Sequence, residues 1–389
     1  MEKELFALLR LGLGNSTAEK ENLSDFIVLP AAQWARLGEI AQEQGVMGVM
    51  LDGIERLEAT GYGATRELSK EQKLEWIGQV MMIEQANHQQ LTVVTDLQKK
   101  WAGAGLRMMV MKGQAMGTSY PNPKHRAPGD VDCYLMPDKG ERLKVKGYSD
   151  VSDKRFAVSE LAEAYKIGNE TAKAWADKVD EGWYKHSVIS YKGESIENHQ
   201  YFVHTREGKK SKQLNQVLVD TLKMDEFNRL SGTEVLLPPP MFNAVFLTYH
   251  AMAHFLEEGL RIKQILDWAM LLKRDAGKVN WEEFWNICDK FHFRRFAEVM
   301  NDIVVRYLGV KGDWLLAIGY RESPYTEKVL LSTFNDKDYV FGSGKSGWAN
   351  RLHIVRNLFR YRWKYKEIYQ RSVFWQLWWY AVGFVFKTD

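Results

Sequence analysis

Asp130 and Asp132 stand one residue apart in the run Gly129-Asp130-Val131-Asp132-Cys133-Tyr134-Leu135. Residues 130–135 read as a strand, and strand side chains alternate, so both carboxylates take the same face. Side by side they repel and tend to hold a proton. A divalent cation removes that repulsion, and hard oxygen donors of this sort suit Mg2+ or Mn2+. A third carboxylate on a neighbouring strand would complete a centre for two ions about 3.5–4 Å apart. Glu197, between Ile196 and Asn198, is the candidate. Acid pairs also occur on solvated strands and turns, so the surroundings must carry the reading.

Those surroundings supply basic side chains and a helix start. Met111-Lys112-Gly113 joins an apolar run to a helix start, where free backbone N–H groups can meet phosphate. The loop before the acid pair adds Lys124, His125 and Arg126. His199 lies two residues beyond Glu197 and shares its face, to contact substrate or orient a carboxylate. His250 and His254 are four apart on a helical pattern and share a face. They are candidates to line a substrate cleft, with a zinc site and plain core packing as the other readings. Arg261 and Asp267, on the next helix, form a structural ion pair or reach the cleft.

Several elements must position these groups. Ile77, Val80, Met81, Ile83, Ala86, Leu91, Val94 and Leu97 recur at helical spacing. They predict one long helix over 69–102, ended by Gly103 and Gly105. Residues 106–111 form a short apolar strand after a glycine. Residues 121–129 are loop by composition. Residues 138–182 are charged and read as two helices. Residues 188–191 and 195–199 flank Lys192-Gly193-Glu194 as a hairpin with a short glycine turn. After about 206 the strands stop, and helical patterns occupy 211–229, 241–257, 261–274, 281–291 and 293–308. The fold class is therefore α+β, a small mixed-sheet core flanked by helices. The expected divisions are an N-terminal helical region (1–104), an α/β core (105–205) and a C-terminal helical domain (206–389).

Bulk properties narrow the class. The 389 residues carry 53 basic and 50 acidic side chains, too even a balance to imply a nucleic-acid partner. Hydrophobic residues make up 45% and charged residues 26%, as in ordinary globular proteins. The two cysteines, Cys133 and Cys288, match no zinc or redox spacing. No signal-peptide pattern opens the chain, so a cytoplasmic location is expected.

Residues 105–136 resemble the polymerase-beta-type nucleotidyltransferase superfamily: an apolar strand, a glycine turn into a helix, then Asp-x-Asp on the next strand. More narrowly, the chain resembles a bacterial group called uncharacterised nucleotidyltransferases. Lys112, Gly113, Tyr120, Pro121, Arg126, Gly129, Asp130 and Asp132 match that group's pattern. So do Glu197 and His199, then His250, His254, Gly259, Arg261, Asp267, Trp268 and Trp281. The match spans roughly 105–285. Gln114 departs from it, standing where many superfamily members have serine, and the charged span between Asp132 and Glu197 is unusual.

The resemblance implies an enzyme that moves a nucleoside monophosphate from an NTP to an acceptor hydroxyl of a small molecule, sugar or protein. Asp130, Asp132 and Glu197 would be the catalytic, metal-binding carboxylates, with Mg2+ or Mn2+ as cofactor. Lys112, Gly113, Arg126 and Gly129 would bind the nucleotide. A second reading is a non-catalytic relative that binds nucleotide or a partner. A third feature stands apart from both. Residues 351–389 hold eight basic residues against two acidic ones and end in an aromatic run over 374–386. That run is too short for a typical membrane span of about 20 residues. It reads as a packed terminal helix, or as a weak contact with a membrane surface or an acidic partner.

Overall fold

The computed structural model describes all residues except 1, 18–19, 22–25, 27–28, 62, 64, 139–155, 206–207, 223–226, 336–346, 375–376 and 378–389. The described part of the chain opens with helices α1 (Glu2–Gly12), α2 (Ala31–Glu43), α3 (Met47–Glu58) and α4 (Lys70–Ala102). Strand β1 (Leu106–Val110), helix α5 (Gly113–Gly117) and strand β2 (Val131–Pro137) come next. After α6 (Val158–Ala172) come β3 (Lys178–Asp180), β4 (His186–Tyr191) and β5 (Glu194–His199). Then follow α7 (Lys209–Asp220), β6 (Asn228–Arg229) and β7 (Leu236–Leu237). The remainder is helical: α8 (Pro240–Glu257), α9 (Ile262–Asp275), α10 (Trp281–Phe291), α11 (Arg294–Arg306), α12 (Trp314–Ala317), α13 (Thr326–Asn335) and α14 (Gly347–Arg360).

Two compact units divide the chain. One comprises Met1–Ser69 with Ala244–Thr388, and the other Lys70–Asn243. The second holds a seven-stranded mixed sheet in the order β3-β4-β5-β2-β1-β7-β6. β2 runs antiparallel to β1 and parallel to β5, which runs antiparallel to β4.

One face of this sheet is apolar because alternate residues of its central strands are apolar. Met108, Val110, Val131, Cys133, Leu135, Ile189 and Ile196 pack there against Val93, Val94, Leu97 and Trp101 of α4 and Ala164 and Ala172 of α6. Helix α6 lies close on β2. A Cβ on Gly168 would stand 2.1 Å from Leu135 Cδ1, so a larger residue there would have to push that methyl aside. Trp101 Nε1 donates to the Gly168 carbonyl at 3.1 Å. Buried Asn169 joins the helix to the hairpin, its Oδ1 accepting from Ser187 Oγ at 2.7 Å and Asn198 Nδ2 at 2.8 Å.

The hairpin is set by a two-residue turn, Lys192 at φ 51° and Gly193 at φ 81°. Two positive φ values suit the right-handed twist of the flanking strands. Asp96 on α4 fixes this turn, accepting from Tyr191 Oη at 2.7 Å and Lys192 Nζ at 2.8 Å.

The first unit is built from helices alone among its described residues. On α11, Asp302 is fully buried. That carboxylate accepts from Tyr320 Oη at 2.7 Å, Thr326 Oγ1 at 2.6 Å and the Ser323 amide at 3.2 Å, and pairs with Arg306 at 3.2 Å.

Two sequence expectations need correction, and a third lies partly outside the described residues. Strands do not stop at 206, because the two-residue β6 and β7 extend the sheet. The helix expected over 211–229 ends at Asp220. Residues 138–182 contain helix α6 and the short strand β3, with 139–155 outside the described residues. Most of the aromatic run, 375–376 and 378–386, also lies outside them. No helix among the described residues is long and apolar enough to cross a membrane.

Candidate active site

The sheet face opposite the apolar core carries the acids. Asp132 is the register partner of Glu197 across parallel β2 and β5, and His199 is the partner of His186 across the hairpin. Alternation places all four on one side, while Cys133, Asn198 and Ser187 turn to the core. Tyr134, two residues beyond Asp132, packs at a tilt against Phe202 at 4.4 Å between ring centroids, and Phe202 meets Phe242 edge to face.

Asp132 is 6% exposed and His199 is 1% exposed. Charges buried to that degree must be matched, and these are. Lys112 Nζ lies 2.5 Å from Asp132 Oδ1. His199 Nε2 is 3.0 Å from the same oxygen and 3.2 Å from Glu197 Oε2. His186 Nε2 is 3.7 Å from Glu197 Oε2. Burial works against ionisation of Asp132, but the Lys112 ammonium and the His199 hydrogen bond outweigh it and hold the carboxyl well below the usual range. Glu197 follows the same pattern: burial opposes its charge, and the His199 hydrogen bond prevails. Burial also pushes the His186 pKa down, favouring the neutral ring.

Asp130 differs from its partner. It lies just before β2 with much of its surface open to solvent and its carboxyl partly enclosed. Partial burial and the charges of Glu197 and Asp132 raise its pKa, so the three acids share one electrostatic neighbourhood. Among the described residues, Asp132, Glu197 and His199 form a group whose donor atoms lie within 4.8 Å of one another and could hold a cation. Two carboxylates and an imidazole are a chemically suitable set for a divalent ion.

Lys112 reaches this centre by leaving the extended conformation. Strand alternation would send it to the core side with Val110. Its backbone instead takes φ 48° and ψ −117° at the start of α5, a conformation uncommon for a residue with a Cβ and frequent at functional sites. Helix α5 is a single turn, five residues long. A Cβ on Gly113 would meet nothing nearer than the Asp130 carbonyl at 3.9 Å, with Arg126 Nη1 at 4.0 Å. Buried Arg126 therefore lies beside Gly113, its Nη1 donating to the Ala127 carbonyl at 3.3 Å.

Helix α4 holds the loop that leads into Asp130. Asn87 Nδ2 donates to the carbonyls of Lys124 and Arg126, at 2.8 and 2.9 Å. Gln90 Nε2 donates to the Gly129 carbonyl at 2.5 Å. Gln114 Nε2 is directed back to Asn87 Oδ1 at 3.1 Å and Gln90 Oε1 at 3.3 Å. Of the other loop residues, His125 pairs with Glu84 at 3.3 Å and Lys124 is exposed.

His250, His254 and Arg261 belong to the all-helical unit. The His250 and His254 Nε2 atoms are 3.0 Å apart, and His254 Nδ1 is 2.7 Å from Glu258 Oε2. Arg261 is exposed and precedes α9, its amide donating to Gln264 Oε1 at 3.0 Å. Asp267 is buried.

Sequence reading passed over Asn87, Gln90 and His186. The first two look like the wet face of a helix. His186 was within reach, since counting outward from the Lys192-Gly193 turn places it opposite His199.

A mixed sheet gathers these acids on one face, beside a lysine and a glycine turn, in a group that could hold a cation. The model of the uncharacterised nucleotidyltransferase family matches residues 30–309. The chain belongs to this family and so stands among the enzymes that transfer nucleotides. No curated protein and no solved structure matches it.

Proposed function

We propose that the sheet-bearing unit transfers a nucleoside monophosphate from an NTP to an acceptor hydroxyl of a small molecule, sugar or protein. The observation that carries this reading is the pairing of Asp132 with Glu197 across β2 and β5, with Asp130 beside them. These carboxylates would hold Mg2+ or Mn2+, which when bound neutralises triphosphate charge and acidifies the acceptor hydroxyl.

The chain's own groups do the rest. Gly113 has room where a side chain could stand and a backbone that a phosphate can approach closely. Arg126 and Lys112 supply positive charge for the triphosphate oxygens. Lys112 Nζ, 2.5 Å from Asp132 Oδ1, would serve both that carboxylate and a phosphate oxygen. Gln90 and Asn87 keep Gly129 and Asp130 in place through the loop carbonyls. Glu197 orients the acceptor and takes its hydroxyl proton. The acceptor oxygen bonds to the α-phosphorus, the bond from that phosphorus to the bridging oxygen breaks, and pyrophosphate leaves.

The test incubates the full chain, Mg2+ or Mn2+, and α-labelled NTPs with fractionated lysate. Labelled product with the wild type and none with Asp132→Asn is the expected result. Nucleotide binding without transfer by the wild type would favour the non-catalytic reading. That reading draws on Gln114, whose amide is engaged by Asn87 and Gln90 where a phosphate-binding hydroxyl is common.

A further inference from the structure

His199 is placed as a metal ligand is placed. Its Nδ1 lies 3.2 Å from the Tyr201 carbonyl oxygen. A carbonyl only accepts, so Nδ1 carries the proton. The other nitrogen, Nε2, lies between Asp132 Oδ1 at 3.0 Å and Glu197 Oε2 at 3.2 Å, donating to these carboxylates until a cation takes the place of its proton. An imidazole that donates one N–H to a backbone carbonyl and aims its other nitrogen at carboxylates is the usual outer arrangement of a metal-bound histidine. The ring is 1% exposed, so its direction is fixed by packing.

The spacing fits a cation as well. Bonds of about 2.1–2.2 Å put neighbouring octahedral donors about 3 Å apart, and the two measured separations are 3.0 and 3.2 Å. Three acids face one lysine here, and an incoming triphosphate adds further negative charge.

We propose that His199 Nε2 binds the cation directly, and that the centre therefore takes manganese(II) in preference to magnesium. Magnesium favours an all-oxygen shell and keeps its waters, whereas imidazole nitrogen suits first-row transition ions. The inference rests on the reading of this centre as a cation site and adds a ligand and an ion preference to it.

The test is made on chelator-stripped full-length protein. Mn2+ is titrated by electron paramagnetic resonance with and without competing Mg2+, and nitrogen bound to manganese is sought by electron spin-echo modulation. Expected are Mn2+ binding at least about tenfold tighter than Mg2+, and a directly bound nitrogen whose signal changes when the histidines alone carry 15N. The isotope arm needs no variant and stands if His199→Gln fails to fold. In a folded His199→Gln the nitrogen signal should vanish. Bound manganese with no nitrogen coupling, coupling that persists in folded His199→Gln, or equal affinity for the two ions would overturn the proposal. Nucleotide transfer with no nitrogen at the metal would sink this inference and spare the proposed function. Nitrogen-bound manganese without transfer would do the reverse.

Discussion

Asp132 and Glu197 face each other across two adjacent parallel strands although they stand 65 positions apart in the chain. Their charges meet at the edge of His199, whose Nε2 lies within 3.2 Å of an oxygen from each. Removing the Asp132 charge while keeping its shape separates chemistry from folding. Asp132→Asn should lower nucleotide transfer by about 10²–10³-fold or more, with the circular dichroism spectrum unchanged. Transfer at the wild-type rate would remove Asp132 from the reaction.

Asp130 should behave in the opposite sense for stability. Its folded pKa is raised by burial and by the Glu197 and Asp132 charges, above an unfolded value of about 3.9. The folded state then binds the proton more tightly than the unfolded state. Its contribution to stability is present below the unfolded pKa and is lost as pH rises through the folded pKa. In chelator, Asp130→Asn should therefore melt higher than the wild type at pH 7, with a smaller gain at pH 4. A variant that melts lower at pH 7 would show that the crowding is not felt.

Gly168→Ala tests the approach of α6 to β2. The added carbon would stand 2.1 Å from Leu135 Cδ1 in a buried setting. Overpacking of this kind costs about 1–3 kcal/mol. Leu135→Ala in the same chain should recover part of the Gly168→Ala loss, a coupling that urea denaturation of the two single variants and the double variant would measure. Strictly additive losses would refute the contact.

In the helical unit, Asp302→Ala strips partners from Tyr320, Thr326, the Ser323 amide and Arg306 at once. Losing one side of a buried charged network costs about 3–5 kcal/mol. Tyr320→Phe removes one hydrogen bond and should cost about 1 kcal/mol. Equal effects of the two in urea melts would contradict the hub role given to Asp302.

The legible parts of the sequence were those with a period or a fixed offset. The helix over 69–102 follows from its period, the strand before Lys112 from an apolar run and the hairpin from its glycine turn, and each matches an element here, while the strand expected from 130 begins at Val131. The two-residue strands β6 and β7 are too short to show a period, so they stayed hidden until tertiary pairing revealed them. Gln90 and Asn87 stayed hidden for another reason. Hydrogen bonds to backbone carbonyls far along the chain leave no mark on local composition. Lys112 is a third case, since nothing about lysine announces a positive φ.

The Lys192-Gly193 turn has a consequence for which kinds of sequence change this protein can absorb. Exchanging exposed residues near it alters little, but adding or deleting one residue would shift β5 by a single step against β4. Glu197 and His199 would then swap sides with Ile196 and Asn198, sending charge into the hydrocarbon interior and grease onto the reacting surface. A frame of fixed length at a solvent-exposed tip thus guards the chemistry as strictly as the acids themselves do, and alterations there should be judged by counting residues before comparing their types.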